Sequence, residues 1–318
     1  MNATLQSLRF VFVMMIFMSH FAYRGVSPFD AGGDCGVTFF FLLSGFTMSM
    51  GYGCSIADGS FRLAHYFRRR LQKLYPLHLL CLILFLVLFR PEVDGKLPLN
   101  ALLLQSWIPD STYYFSYNGV SWFLSSLLFS YLLFPIAYRR GNPFVLVVIL
   151  ICCLAVYVMV PYDNVNALLY VSPLMRFVDF FLGIMLYKLY NTKKNVNVPG
   201  WTEAFIVVLL VLALWAYPFT DEKLRNAPLY WLVLLPLIFV FARQEGPVSR
   251  LLKHRVLQWL GSLSMPIFLL HPMVFRSMAH FFPTIPTFLM LGCCFALVVV
   301  LSWVSQVLLC LSFATKDS

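Results

Sequence analysis

Charge is what this chain has least of. Asp, Glu, Lys and Arg make up only 11% of its 318 residues, against about 25% in an ordinary soluble domain. The acidic side is the poorer one, with 13 carboxylates against 23 basic residues and a net charge of +10. A hydrophobic fraction of 61% and a mean hydropathy of +0.81 exclude a soluble enzyme, a disordered chain and a nucleic-acid-binding domain. No C-x-x-C and no H-E-x-x-H occurs, so zinc has no sequence support and no metal site is expected. The eight cysteines lie mostly as lone residues or adjacent pairs inside apolar runs, as small buried hydrophobes do. Gly/Ser linkers, low-complexity tracts and repeats of 20 to 50 residues are also missing. One membrane domain over residues 1–318 is the expected organisation.

Long apolar runs are what the chain has in their place. Ten segments qualify as candidate helices: Leu5 to Tyr23, Val37 to Gly53, Leu71 to Phe89, Ser121 to Tyr138, Phe144 to Val160, Val171 to Tyr190, Trp201 to Phe219, Leu229 to Phe241, Val256 to His280 and Pro286 to Phe313. The shorter run Leu97 to Ile108 cannot cross a hydrocarbon core of about 30 Å and reads as an interfacial or re-entrant piece. The expected fold is all-α, a polytopic bundle of about ten transmembrane helices. With the first end inside, cytoplasmic segments hold 16 of the 23 basic residues: Arg9, Arg62, Arg68, Arg69, Arg70, Lys73, Arg139, Arg140, Lys188, Lys193, Lys194, Arg243, Arg250, Lys253, Arg255 and Lys316. The positive-inside rule then places both termini in the cytoplasm. The first span lacks the basic start and small-residue cleavage pattern of a signal peptide, so it reads as a retained helix.

In such a chain the informative residues are the polar ones within spans, because a charge at the bilayer centre costs roughly 2.5–3.5 kcal/mol even on insertion scales. Arg9 and His20 share the first span, eleven residues apart. Eleven steps of about 100° return to within about 20° of one helix face, about 16 Å further along the axis. Arg9 then sits near the cytoplasmic surface and His20 in the outer half, a geometry suited to an anionic donor from one side and proton transfer deeper in. A packing histidine and a snorkelling arginine fit the same two residues. Before the third span, Arg68-Arg69-Arg70 is followed by Lys73, one turn beyond Arg70. Such a cluster can hold phosphates through forked hydrogen bonds, or serve as a stop signal against anionic lipid.

The remaining polar positions are less specific. Ser44-Gly45 lacks the Gly at position 42 that an intramembrane serine protease motif would need, since Leu42 stands there. Close helix packing or a place in a cavity wall suits this pair better. Arg176 and Asp179 are three apart and can neutralise one another. His271 precedes Pro272, and its nine-residue separation from His280 puts those two histidines about half a turn out of phase, so they should not share a metal.

Taken in order, these segments resemble the acyltransferase-3 family of bacterial membrane acyltransferases. The likeness rests on Arg9 and His20; on Gly36, Val37, Phe40, Phe41, Ser44, Gly45 and Phe46; and on Arg69, Arg70, Tyr75 and Pro76. It continues through Trp122-Phe123-Leu124 with Tyr131 and Pro135, Arg176 to Gly183, and Gly261 to Pro272. Three departures stand out. Lys73 replaces the second arginine of an R-x-x-R pattern, and Leu127 and Thr38 stand at positions where acidic residues are frequent.

The resemblance implies transfer of an acyl group, most often acetyl from acetyl-CoA, to a hydroxyl of a cell-envelope or exported carbohydrate, in the bacterial inner membrane and without metal. It implies His20 as the catalytic base and Arg9, Arg69, Arg70 and Lys73 as the acyl-CoA site. Ser44, Trp122, Arg176 and His271 are the expected substrate or pocket-lining residues. The expected partners are acyl-CoA, the carbohydrate acceptor, the lipid bilayer and proteins of glycan biosynthesis. No hydrolase-like domain is seen after the tenth span, so a second step on the glycan would fall to another protein. A succinyl or other donor, a transporter of glycan or lipid-linked sugar, and a noncatalytic assembly subunit are the alternatives. The sequence shows neither the inverted repeat nor the paired broken helices of many transporters.

Overall fold

A computed structural model describes residues 2–27, 32–193 and 198–314, the last five of these for their backbone alone. Lys194 and Lys316, counted above as cytoplasmic charges, lie outside the described residues, as does the side chain of Cys310. Ten main helices carry the fold: α1 Ala3–Ser19, α2 Gly33–Ala57, α3 Leu63–Phe89, α4 Trp122–Arg140, α5 Pro143–Met159, α6 Pro173–Thr192, α7 Trp201–Trp215, α8 Pro228–Phe241, α9 Ser264–Phe281 and α10 Thr287–Ala314. No strand occurs among the described residues, and only an isolated bridge joins Tyr23 and Val26.

Local chemistry explains where these helices begin. The Asn2 side chain caps α1 by accepting from the amides of Thr4 and Leu5, both at 3.1 Å, which satisfies two of the orphan N–H groups of a first turn. Asn142 does the same for α5 through Val145 N at 2.9 Å. Proline occupies the opening position of α5, α6 and α8, where its missing N–H costs nothing and its fixed φ is already helical.

Five helical segments among the described residues are long and apolar enough to cross a membrane: Gly33–Ala57, Leu63–Phe89, Gly119–Arg140, Glu222–Phe241 and Thr287–Leu309. Ala3–Ser19, Pro143–Met159 and Trp201–Trp215 are shorter apolar helices. The molecule is an all-α, multi-pass membrane protein. Large apolar side chains such as Val87, Phe144, Val158, Leu232 and Phe288 point outward, which suits a surface that meets lipid rather than water.

One of the ten sequence segments is corrected. Val256 to His280 is two helices, Arg255–Ser262 and α9, broken at Leu263. The cause lies at Gly261, where a Cβ would collide with the backbone carbonyl of Gln6 in α1. The short helix therefore packs backbone to backbone against α1, and α9 begins separately at Ser264. The run Leu97 to Ile108 forms a short helix, Lys96–Ala101, and a 3₁₀ turn at Gln105–Trp107, too short to cross, as expected. Several of its buried polar groups are bound inside the fold. Asn100 O faces His78 Nε2 at 2.9 Å, Gln105 Nε2 donates to Ser121 Oγ at 3.1 Å, and Ser106 Oγ donates to Trp122 O at 2.9 Å.

Helix α2 stands at the centre and contributes to both apolar clusters. One cluster also gathers α3, α4, α9 and α10, the other α5, α7 and α8, and α1 and α6 likewise contribute to both. The tightest seam is between α2 and α6. A Cβ on Gly45 would strike the carbonyl oxygen of Phe180, and one on Gly183 would strike that of Leu42, so two glycines let the backbones touch as small residues do in membrane helix pairs. Gly292 in α10 meets nothing within 4 Å and serves as the control. Gly183→Val should abolish a monodisperse detergent-extracted protein or lower its apparent Tm sharply, since overpacking costs about 1–3 kcal/mol or more, while Gly292→Val should leave it near wild type. Equal melting of both variants would show that this crossing does not hold the bundle together.

Candidate active site

A cavity of about 370 Å³ opens between α1, α2, α3, α4 and α9. Helical phasing supplies its walls. On α2, Phe40, Leu43, Ser44, Thr47, Met48, Gly51 and Tyr52 recur as i, i+3, i+4, i+7, i+8, i+11 and i+12 and form one stripe. Arg69, Arg70, Lys73 and Leu74 come from α3, Phe123, Leu127 and Tyr131 from α4, and Ser264, Met265 and Phe268 from α9. Arg9 enters from α1. The four basic residues singled out by the sequence, together with Ser44, thus surround one space.

The cations here are oriented, yet not neutralised. Arg9 Nε donates to Ser264 Oγ at 3.0 Å. Arg70 donates to Tyr52 Oη at 3.0 Å and lies 3.2 Å from Met48 Sδ. Its guanidinium carbon is 5.3 Å from the Tyr52 ring centroid and 5.9 Å from that of Tyr131, so two aromatic faces hold it. Arg9 and Arg70 each lie within electrostatic reach of Lys73. None of Arg9, Arg69, Arg70 and Lys73 has a carboxylate partner within ion-pair distance among the described residues. Like charges gathered without counter-charges repel one another, and a bound polyanion would relieve that repulsion. The exposed side chains of Arg69 and Lys73 mark the open end.

His20 and His271 form a second group, further along α1 and α9. Their ring centroids are 5.1 Å apart in an edge arrangement. His20 Nδ1 lies 2.8 Å from the carbonyl of Ile16, and His271 Nδ1 lies 3.2 Å from that of Ile267. A carbonyl oxygen only accepts, so Nδ1 carries the hydrogen in each ring and Nε2 keeps its lone pair. His20 is exposed at the end of its helix, whereas His271 is fully buried with Nε2 unpartnered. Both Arg9 and His20 meet α9, at Ser264 and His271 respectively, as the common face expected from their spacing requires. His280 meets Phe281 edge-on, away from this pair.

Trp122 and Arg176 lie elsewhere. Trp122 packs on Tyr170 with centroids 4.9 Å apart. Arg176 is completely buried, bonded to Asp179 at 2.9 Å, to Thr38 Oγ1 and Leu169 O, and closely to Asn226 O. Asp179 also accepts from Trp231 Nε1 at 2.6 Å. This network ties α2, α6 and α8 together, and neither Trp122, Arg176, His20 nor His271 lines the cavity. The sequence reading passed over Tyr52 and Thr47 and took in Tyr131 and Ser264 only as parts of motifs. Their signal was the helical spacing from Ser44 on α2 and from Phe123 on α4, which an almost wholly apolar helix obscures. Among the described residues no group of three or more His, Cys, Asp and Glu is placed to hold a metal.

The model of the acyltransferase-3 family, described as an acyltransferase domain, matches residues 2–307. This chain belongs to that family. The match takes in α1 to α9 and most of α10, and with them every residue of the cavity and the histidine pair. The chain is also similar to the acyltransferase MdmB of Streptomyces mycarofaciens, 38% identical over 117 residues, which is 34% of this chain and 29% of that protein. The aligned part therefore spans less than a third of that relative's length. No solved structure matches.

Proposed function

We propose that this acyltransferase-3 protein moves an acyl group, acetyl in the first instance, from acyl-CoA to a hydroxyl of a cell-envelope or exported carbohydrate. The setting is the bacterial inner membrane, with ten spans and both termini on the cytoplasmic side, where glycan biosynthesis proteins supply the acceptor. The observation that carries this reading is the cavity of unneutralised cations set on the same two helices as a histidine with a bare Nε2. Phosphates of the donor pair with Arg69, Arg70 and Lys73, and Arg9 sits deeper on the path. The thioester end points along α1 and α9 toward His20, about 16 Å beyond Arg9 by helical rise.

His20 Nε2 takes the proton of the acceptor hydroxyl as its oxygen attacks the thioester carbonyl. The carbon–sulfur bond breaks, the thiolate leaves, and His20 returns the proton to it. The new bond is the ester of the acceptor oxygen. The Nδ1 hydrogen bond to Ile16 keeps the ring in the tautomer this step needs. Ser44 lies on the cavity wall without a histidine beside it, so direct attack by the acceptor suits these residues better than a serine ester.

The test supplies acetyl-labelled acetyl-CoA to inverted membranes from the native host, with and without the protein, and counts label in glycan and glycolipid fractions. Protein-dependent label in a carbohydrate fraction is the expected result. Label in neither fraction, with protein present and folded, would overturn the acetyl-CoA and carbohydrate assignments, and a parallel series of other acyl-CoA donors would identify which of the two failed.

A further inference from the structure

The cationic cavity and the histidine pair are close but not continuous. On α9, Ser264 contacts Arg9 at the polar end and His271 contacts His20 at the other, about 10 Å apart by helical rise. Phe268 stands between them, four residues after Ser264 and three before His271, hence on the same face. Its ring centroid is 6.1 Å from that of His271 and 5.0 Å from that of Phe123 on α4. Phe123 in turn lies 4.7 Å from Phe41 and 6.4 Å from Phe40. Phe123 and Phe268 both line the cavity and are only 4% and 5% exposed, so two packed rings close its inner end. Charge is concentrated at the other end, where Arg69 and Lys73 open to the outside.

We infer that Phe268, closed against Phe123, sets the length of the acyl group this protein accepts. The inference rests on the acyl-CoA reading and goes beyond it. An acyl-CoA is anionic at its phosphates and apolar at its acyl end, and the cavity has the same polarity along its length. With the phosphates held at the basic mouth, the acyl chain meets the two phenyl rings. A group of two or three carbons ends at that surface, with its carbonyl just on the mouth side of the rings. A longer chain has to displace a ring that is already packed on both sides, and close packing resists such displacement. A pocket that ends on a rigid apolar wall discriminates chain length by roughly 10–200-fold per methylene at its limit.

The experiment measures binding of free CoA, acetyl-CoA, butyryl-CoA and hexanoyl-CoA to the full chain in lipid nanodiscs. Wild type should bind free CoA and acetyl-CoA comparably and hexanoyl-CoA at least 10-fold more weakly. Phe268→Ala should bring hexanoyl-CoA to within a few-fold of acetyl-CoA, with free CoA unchanged. Phe268→Leu keeps more of the bulk and should lie between. Phe123→Ala, on another helix, should shift the ranking in the same direction and covers the case in which Phe268→Ala does not fold. Variants that bind free CoA yet rank the acyl donors as wild type does would overturn this inference and leave the acyl-CoA reading standing. A wild type that binds no free CoA would overturn both.

Discussion

His20→Ala is expected to lower acyl transfer by about 10²–10⁴-fold, the usual contribution of a positioned general base, while acyl-CoA affinity stays within about two-fold of wild type. The two halves of that expectation have separate structural causes. His20 offers a bare Nε2 because Nδ1 is engaged by the Ile16 carbonyl at 2.8 Å, so the side chain removed is one already held in its reactive tautomer. The cations proposed to bind the donor lie elsewhere, around a cavity that His20 does not line. Single-turnover transfer and equilibrium binding, measured at matched protein levels, separate the effects. Transfer at the wild-type rate would remove His20 from the chemistry. A parallel loss of CoA binding would show that the residue acts through the fold. His20→Gln, which keeps a polar side chain but supplies no comparable base, should be as inactive as the alanine variant.

Arg70→Gln is expected to do the reverse, weakening acyl-CoA binding by about 10–100-fold with a much smaller change in kcat. A hydrogen bond to a charged group contributes about 1.5–3 kcal/mol, and Arg70 is placed to make such bonds without first having to be ordered. Tyr52 and Tyr131 hold its guanidinium between their rings, and Met48 and the Tyr52 hydroxyl fix its orientation. Arg70→Lys keeps the charge but loses the fork and the stacking, so its affinity should fall between those of wild type and Arg70→Gln. The difference between wild type and Arg70→Gln should shrink as salt is raised, because part of it is Coulombic attraction to phosphate. Unchanged affinity in Arg70→Gln would mean that the cavity does not hold the donor's phosphates.

How much of this could be read from the sequence depended on whether the signal was local. Arg9 and His20 share a helix, so a count of eleven residues was enough to place both on the side that meets α9. Arg69, Arg70 and Lys73 are neighbours in the chain, and their convergence on one space followed from a single turn of α3. His20 and His271 are 251 residues apart, and nothing in the periodicity of either helix announces that their rings stand 5.1 Å from one another. The break at Leu263 was hidden for a related reason. Residues 256–280 are apolar enough to read as one run, and the close approach at Gly261, beside the break, is to Gln6, a residue at the opposite end of the chain. Tyr131 and Tyr52 were obscured differently. In helices that are hydrophobic on every face, a tyrosine that turns its hydroxyl toward an arginine has the same pattern as one that packs against lipid.

The glycine crossing of α2 and α6 also divides the cavity walls by how freely they can be displaced. Ser44, Thr47 and Tyr52 stand on a helix whose backbone is interlocked with its neighbour at Gly45 and Gly183, and sliding it would drive carbonyl groups into one another. Arg69, Arg70 and Lys73 stand on α3, which buries only a narrow strip of its length, through residues such as Tyr66, Leu74, His78 and Phe85, and turns Leu71, Leu79, Ile83 and Val87 outward. One wall is locked to its neighbour and the other is not, so a donor bound as proposed would meet its least interlocked wall where the positive charge stands.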